Sequence, residues 1–206
     1  MTDYRNYQPE TTSRIREDIE WSITYSYGVR DSSRPRVLLI GDSICNGYQQ
    51  NVRELLAEKA NITFWASSKC VTDPDYFREL ELILGSNRYD CISFNNGLHS
   101  LTTNRSEWEE AYHAAVKFIR AKCPDAYLSL TLCTPLNDPE KDAISRALNG
   151  ITRALAEKEA LPVIDLYAAV EKLDKDEQMT DVYHWKETGR RLQAETICKH
   201  MTERLK

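Results

Sequence analysis

Features that define several classes of protein are missing from this 206-residue chain. Its six cysteines form no C-x-x-C pair, and their spacing fits neither a zinc site nor a compact disulfide framework. No apolar run approaches the length of a membrane span, and residues 1–10 lack the apolar core of a signal peptide. We therefore expect a cytoplasmic protein with reduced cysteines, no bound metal and no membrane partner.

The charge and the glycine content reduce further the classes of protein to which this chain could belong. The net charge of −5 gives no reason to expect nucleic acid as a partner. No glycine-rich phosphate loop follows the first strand pattern, which weighs against a nucleotide or phosphate binder. Of the seven glycines, Gly41, Gly47, Gly97 and Gly189 lie in or beside polar motifs next to the predicted elements. Because glycine allows sharp turns and close approach to a ligand, this clustering favours a site at the strand ends.

From residue 36 onward the chain does contain a regular alternation of strand and helix patterns. Short apolar runs predict five strands, over residues 36–40, 62–65, 91–94, 126–133 and 162–166. Helical spacing predicts helices over residues 52–59, 75–84, 106–121, 140–159 and 186–205, with Ser106 as an N-cap and a break near Asn149-Gly150. Strands alternating with long helices pair in parallel through right-handed crossovers. We therefore expect a single α/β domain over residues 1–206, whose core, residues 35–206, is a five-stranded doubly wound sheet.

Residues 1–34 stand apart from this core. Residues 12–21 could form one helix, and Trp21, Tyr25 and Tyr27 follow it before a polar turn at 31–33. One interpretation is a strap packed on the edge of the sheet. The other is that these aromatic residues help to wall a cleft, since clefts favour aromatic linings.

The first predicted strand ends abruptly in Gly41-Asp42-Ser43. A buried strand that stops at a serine places a hydroxyl at the carboxyl edge of the sheet, where open α/β sheets bind ligands. The helix that starts there offers free amide donors and a positive dipole end, and both stabilise negative charge. Ser43 is therefore either a nucleophile or only the N-cap of that helix. As a nucleophile it needs a base and an orienting acid.

Asp181 and His184, just before the last predicted helix, could supply both groups. On a single turn, Asp181 can bond one ring nitrogen of His184 and leave the other nitrogen for Ser43. The alternative is an N-cap aspartate beside a surface histidine. A lone D-x-x-H pattern is weak, but its pairing with Gly-Asp-Ser indicates a serine hydrolase.

Polar side chains also follow the third predicted strand. Asn95, Asn96 and His99 carry two amides and an imidazole, which are donors able to hold a developing oxyanion. The alternative is an Asn-Gly turn with a solvated histidine.

Together these blocks resemble the SGNH, or GDSL-type, hydrolase superfamily over about residues 36–189. They come in family order: Gly41-Asp42-Ser43-Ile44, a polar turn after the second strand, Gly97-Leu98-His99, and Asp181-x-x-His184 before the last helix. The resemblance implies a flavodoxin-like, three-layer α/β/α sandwich with Ser43 as nucleophile, His184 as base and Asp181 as orienting acid. It is closest to a bacterial branch that carries Phe-Asn-x-Gly-Leu-His-Asp after the third strand.

Three departures from the family pattern concern the oxyanion hole and the acid–histidine block. With Gly97 aligned, His99 falls where the family has its oxyanion asparagine, so His99 or a neighbouring asparagine would supply this donor. The family glycine after the second strand is absent, and a backbone amide near Cys70 would serve instead. The frequent Asp-Gly-x-His reads Asp181-Val182-Tyr183-His184. The expected oxyanion and substrate-binding set is Asp42, Cys70, Asn95, Asn96, Gly97 and His99.

The residues and the resemblance together predict a serine esterase that needs no metal or organic cofactor. Ser43 attacks an ester carbonyl, His184 takes its proton, and Asp181 steadies the imidazolium. The family acts on O-acetylated carbohydrates, short-chain esters and lipids. No exposed apolar lid segment is present, so we expect a small-molecule ester partner, first of all an acetylated carbohydrate. The rivals are a catalytically weak or inactive carbohydrate- or ligand-binding module on the same fold and a thiol enzyme using Cys45 or Cys70.

Overall fold

A computed structural model describes residues 11–205 of the chain and contains one six-stranded sheet in the order β1-β3-β2-β4-β5-β6. The strands are β1 Ser22–Ser26, β2 Arg36–Gly41, β3 Asn61–Ser67, β4 Cys91–Phe94, β5 Tyr127–Thr131 and β6 Val163–Ile164. The helices are α1 Ser43–Leu55, α2 Tyr76–Gly85, α3 Arg105–Lys122, α4 Pro139–Lys158, α5 Leu166–Val170, α6 Lys175–Gln178 and α7 Glu187–Thr202. Within the described range, no helix combines the length and the apolar character needed to cross a bilayer.

Helices cover both faces of the sheet because alternate residues of the central strands point to opposite sides. On β2, Leu38 and Ile40 join the core that contains α2, α3 and α4. Val37 and Leu39 join the core that contains α1 and α7. Every residue of β2 is buried, as expected for a parallel strand covered on both faces. The predicted α/β class and three-layer sandwich are confirmed, with β2 to β6 pairing in parallel.

The sheet has one strand more than the five predicted. β1 runs antiparallel to β3, from Ser22 opposite Ser67 to Ser26 opposite Thr63. It was not predicted because an edge strand of the sequence Ser-Ile-Thr-Tyr-Ser has no continuous apolar run. The helix predicted over residues 12–21 is wrong: these residues form no helix and instead bond to the segments that follow β3 and β4. β1 does pack on the edge of the sheet, as the first interpretation of residues 1–34 predicted. Residues 1–10 of the predicted single domain lie outside the described residues.

Two details of the predicted helices are also corrected. Asn104, and not Ser106, caps α3, since its Oδ1 accepts from the N–H of Ser106 at 3.0 Å and of Glu107 at 3.3 Å. α4 continues without a break through Asn149 and Gly150. Asn149 faces inward there: Cys133 N–H donates to its Oδ1 at 2.8 Å, and its Nδ2 donates to Cys133 O at 3.0 Å. A buried asparagine with both polar atoms bonded is stable inside a helix.

Candidate active site

Ser43 lies directly after β2 and is the first residue of α1. Asp42 is the N-cap of this helix, because its Oδ1 accepts from the N–H of Ile44 at 2.9 Å. The interpretation of Ser43 as the cap is therefore wrong, and its hydroxyl is not committed to the helix. The N–H of Ser43 has no acceptor within residues 11–205, as is usual in a first helical turn. A hydroxyl and a free amide thus lie together at the positive end of a helix dipole.

Ser43, His184 and Asp181 form one hydrogen-bonded series. Nε2 of His184 lies 2.8 Å from Oγ of Ser43, and Nδ1 lies 2.8 Å from Oδ2 of Asp181. A carboxylate only accepts, so it selects the tautomer of His184 with the hydrogen on Nδ1. Nε2 is then left as an acceptor for the Ser43 hydroxyl. This is the arrangement of a nucleophile, a base and an orienting acid.

Asp181 and His184 lie in a turn of their own that precedes α7. Thr180 N–H donates to His184 O at 2.8 Å, and an isolated bridge pairs Met179 with Trp185. Trp185 is buried, which fixes the exit of the turn. The N-cap of α7 is Lys186, so Asp181 does not cap a helix.

Several donors keep the Asp181 carboxyl ionised. Burial by itself raises the pKa of Asp181, but the His184 ring and the N–H groups of Tyr183 and His184 donate hydrogen bonds to it. These bonds outweigh burial and lower the pKa below the ordinary value of an aspartate. Asp181 therefore carries its negative charge wherever His184 is neutral.

Ser43 and His184 line a cavity of about 500 Å³. One part of its wall is the strap, defined as residues 11–21, which contributes Glu17 and Trp21. The remaining wall includes Leu98, His99, Leu101, Lys141 and Tyr183. Trp21 therefore lines a cleft, as the second interpretation of the N-terminal aromatics predicted. Tyr25 and Tyr27 do not line it and stack on each other at 6.2 Å.

A second cavity, of about 20 Å³, shares Leu98 and Leu101 with the larger one. Its wall also includes Asp42 and Ile44, which flank Ser43 in sequence. The rest of its lining is mostly apolar and includes Cys45, Leu132, Cys133, Leu136 and Leu166. A space of this size holds little more than one water-sized group.

The two asparagines after β4 support the backbone and are not free donors. Nδ2 of Asn95 donates to Thr131 O at 2.7 Å. Asn96 is buried, and its side chain accepts from Val71 N–H and donates to Lys69 O, both at 2.9 Å. Asn96 thereby joins the segment after β4 to the loop after β3. Nδ2 of Asn95 also contacts Sγ of Cys133 at 3.6 Å, and Asn96 lines neither cavity, so the expectation that one of these amides holds an oxyanion does not fit this arrangement.

The other residues that were expected to bind the oxyanion are also held by contacts within the protein. Cys70 is buried away from both cavities, and its N–H donates to Asp73 Oδ2 at 2.9 Å. His99 does line the larger cavity, but its Nδ1 lies 2.6 Å from Oε1 of Glu17. A neutral imidazole has one N–H, and here the carboxylate takes it. Gly97 lines the small cavity, and a Cβ there would lie 2.1 Å from Sγ of Cys133, so only glycine fits.

Glu17, Lys141 and Tyr183 are cavity residues that the sequence did not reveal. Glu17 fell inside a predicted helix, and Lys141 follows Pro139 at the start of α4 with no motif around it. Tyr183 is the exception, because it lies between Asp181 and His184 within the D-x-x-H motif. Its hydroxyl accepts a hydrogen bond from Lys141 Nζ at 2.8 Å.

The cysteines and acidic residues offer no competing centre in the described part of the chain. All six thiols are free. Burial raises the pKa of Cys45 to about 12 and also raises the pKa of Cys70, which opposes a thiolate nucleophile at either position. No group of three or more histidine, cysteine or acidic side chains in residues 11–205 is placed to bind a metal ion.

The solved structures that share this fold at low sequence identity include lipolytic and esterase proteins. A member of the lipolytic G-D-S-L family from Veillonella parvula has a TM-score of 0.66 at 21% identity, covering 81% of this chain and 98% of its own. An acetylxylan esterase from Geobacillus stearothermophilus has a TM-score of 0.69 at 16% identity, covering 81% and 94%. A DUF4886 family protein from Bacteroides uniformis has a TM-score of 0.67 at 16% identity, covering 84% of each chain. No family model and no curated protein matches the sequence. The chain has the fold of the GDSL-type hydrolases.

Proposed function

We propose that this protein is a serine esterase that hydrolyses small acyl esters. The observation that carries the proposal is the pair of 2.8 Å contacts that join Ser43 to His184 and His184 to Asp181. These groups lie at the carboxyl edge of a parallel sheet, where α/β proteins bind their ligands. Ser43 is the nucleophile, His184 the base and Asp181 the orienting acid.

The reaction proceeds by acyl transfer in two stages. Oγ of Ser43 attacks the ester carbonyl carbon while its proton moves to Nε2 of His184. The tetrahedral intermediate collapses, and the leaving alcohol takes that proton, so an acyl group remains on Ser43. A water molecule then attacks the acyl group and gives a proton to Nε2 of His184; the bond to Ser43 breaks, His184 returns this proton to Oγ of Ser43, and the acid leaves. Asp181 stays ionised throughout and stabilises the imidazolium.

The N–H of Ser43 is the oxyanion donor that this chain offers. It lies at the first position of α1 without an acceptor in the described residues, and the helix dipole adds a partial positive charge. The donors expected from Asn95, Asn96 and Cys70 are engaged elsewhere. A bound substrate therefore depends on backbone donors at the start of the helix.

The sizes of the two cavities favour a substrate with a short acyl group and a larger alcohol. The small, mostly apolar cavity beside Asp42 and Ile44 matches the methyl group of an acetyl ester, and the cavity of about 500 Å³, whose wall includes the charged side chains of Glu17 and Lys141, matches a sugar. O-acetylated carbohydrate is therefore the proposed substrate. One protein of the same fold is an acetylxylan esterase, whose catalytic mutants carry alanine in place of a serine or an aspartate.

A catalytically weak or inactive ligand-binding module on the same fold is the second candidate. It is favoured by one observation: the amides of Asn95 and Asn96 and the N–H of Cys70 all have partners within the protein. A protein with too few oxyanion donors would bind the ester without turning it over.

Hydrolysis of p-nitrophenyl acetate by the pure protein separates the two candidates. We expect steady turnover that falls about a thousandfold or more in Ser43→Ala, as for other triad serines. Ser32→Ala, at an exposed position outside both cavities, is the matched control. Circular dichroism confirms that each variant is folded. Equal turnover in folded Ser43→Ala, or no turnover by the unaltered protein, rejects the esterase.

A further inference from the structure

The strap is anchored at both of its ends to the loop that follows β3. The buried guanidinium of Arg14 pairs with the buried carboxylate of Asp73 and donates to Ser68 O at 2.8 Å. At the other end, Trp21 N–H donates to Ser68 Oγ at 2.8 Å, and Ser68 N–H donates to Trp21 O at 3.0 Å. Glu17 lies between these two anchors. Its position in the cavity is therefore set before any ligand arrives.

His99 orients the carboxylate of Glu17. Its Nδ1 lies 2.6 Å from Oε1, and the nearest cationic group, Nη2 of Arg14, is 4.0 Å from the same oxygen. The His99 side chain is only 10% exposed, whereas that of Glu17 is 48% exposed. Oε2 of Glu17 has no hydrogen-bond partner among residues 11–205. One carboxylate oxygen is thus fixed by the protein, and the other is an acceptor available to a ligand.

The charges around the cavity decide which ligand group suits this acceptor. Lys141, which lines the same cavity, disfavours a cationic ligand, and Glu17 itself disfavours an anionic one. A neutral hydroxyl can donate to Glu17 and can accept from Lys141. Trp21 adds an apolar ring surface to the same wall. The wall therefore suits a neutral alcohol that carries further hydroxyl groups.

We propose that Glu17, oriented by His99, accepts a hydrogen bond from a free hydroxyl in the alcohol half of the ester. Glu17 thereby selects esters of polyhydroxylated alcohols over esters of simple or cationic alcohols. The alcohol half lies on this side because the small cavity beyond Leu98 and Leu101 has room only for a short acyl group. This assignment rests on the proposed esterase function.

The test compares three acetate esters: a methyl mono-O-acetyl-xylopyranoside, p-nitrophenyl acetate and acetylcholine. We expect Glu17→Gln to lower the ratio of kcat/KM for the sugar ester to kcat/KM for p-nitrophenyl acetate about tenfold or more, because a charged acceptor is lost. Gln keeps the size of the side chain and an oxygen for His99. The matched control is Glu58→Gln, which lies in the turn after α1 with its side chain 89% exposed and leaves the ratio unchanged. An unchanged ratio in Glu17→Gln, or a preference of the unaltered protein for acetylcholine over the sugar ester, overturns the proposal.

A binding measurement keeps this test separate from that of the esterase. Methyl xylopyranoside is titrated into Ser43→Ala protein and followed by ligand-observed NMR, with and without Glu17→Gln. Binding that weakens about tenfold or more with Glu17→Gln supports the assignment. Absent binding, or binding that Glu17→Gln does not alter, overturns it. Failure of the esterase itself appears elsewhere, as p-nitrophenyl acetate turnover that does not depend on Ser43.

Discussion

His184 binds the carboxylate of Asp181 twice, once through its ring and once through its backbone. Nδ1 lies 2.8 Å from Oδ2, and the backbone N–H donates to Oδ1 at 2.9 Å. Tyr183 N–H adds a third bond to Oδ1 at 2.7 Å. The carboxylate cannot rotate away from the ring without breaking bonds to the backbone. The tautomer and direction of the imidazole are therefore determined by a turn of four residues.

Replacement of Asp181 by asparagine is expected to remove most of the activity. An amide can keep its backbone bonds through Oδ1, but its N–H group then faces Nδ1 of His184. The ring would switch tautomer and carry its hydrogen on Nε2, where it cannot accept the proton of Ser43. We expect kcat for p-nitrophenyl acetate to fall about 10⁴-fold, as for the same change in a serine-protease triad. Asp125→Asn, in an exposed loop, is the control, and near-normal kcat in Asp181→Asn would remove Asp181 from the mechanism.

Enlarging the small cavity should shift the preference for acyl length. Leu136→Ala removes three carbon atoms from its wall, which creates room for a longer acyl chain. We expect the ratio of kcat/KM for p-nitrophenyl butyrate to that for the acetate to rise about tenfold, since a methylene in an apolar pocket changes selectivity by 10-fold or more. Leu155→Ala is the control, because Leu155 is a buried core residue outside this cavity. An equal ratio in both variants would mean that the acyl group binds elsewhere.

The buried pair of Arg14 and Asp73 should contribute strongly to stability. Both side chains are only 1% exposed, and Asp73 also accepts the N–H of Cys70. Asp73→Asn leaves the charge of Arg14 buried and less compensated, so the free energy of unfolding should fall by about 3–5 kcal/mol. Urea unfolding measures this loss. Glu195→Gln, which breaks the exposed pair with Arg191, should cost less than about 1 kcal/mol, and a similar cost for both variants would contradict the prediction.

Acidification below neutral pH should destabilise the protein in part through His200. Burial lowers the pKa of His200, with Glu203 opposing this shift and Arg204 adding to it. The unfolded chain then binds the proton more readily than the folded protein does. The stability contribution of His200 is present above about pH 6.5 and is lost as the pH falls below that value. We expect Tm to drop between pH 7.5 and 5.5, and to drop less in His200→Gln; the same drop in both proteins would exclude this origin.

The parts of the fold that depend on local patterns could be predicted from the sequence. The five parallel strands are short apolar runs bounded by helical patterns, so their order of appearance defines an α/β sandwich. β1 could not be found in this way, because a strand at the edge needs only a partner, which here is β3. The helix predicted over residues 12–21 does not form, because the polar groups of Arg14 and Trp21 bond to a loop that lies 54 and 47 positions further along the chain.

The candidate site shows the same contrast between local sequence patterns and long-range contacts. Ser43, Asp181 and His184 were identified because their types and spacing are unusual enough to suggest one chemistry. The state of Asn96 was not predictable, since it depends on Lys69 and Val71, which only the fold brings near. The bond between Glu17 and His99 likewise joins residues separated by 82 positions. Residue types thus indicate the reaction, whereas long-range hydrogen bonds decide which side chains remain free for a ligand.

The two edge strands of the sheet, β1 and β6, affect how readily the protein aggregates at high concentration. β3 has seven buried residues, and without β1 it would present a long apolar edge to other molecules. β1 covers it with five residues that include Ser22, Thr24 and Ser26, and the opposite edge, β6, is only two residues long. Short, partly polar edges offer a poor template for strand addition by a second copy. β1, which follows the strap in sequence, thereby also reduces aggregation through the edge of the sheet.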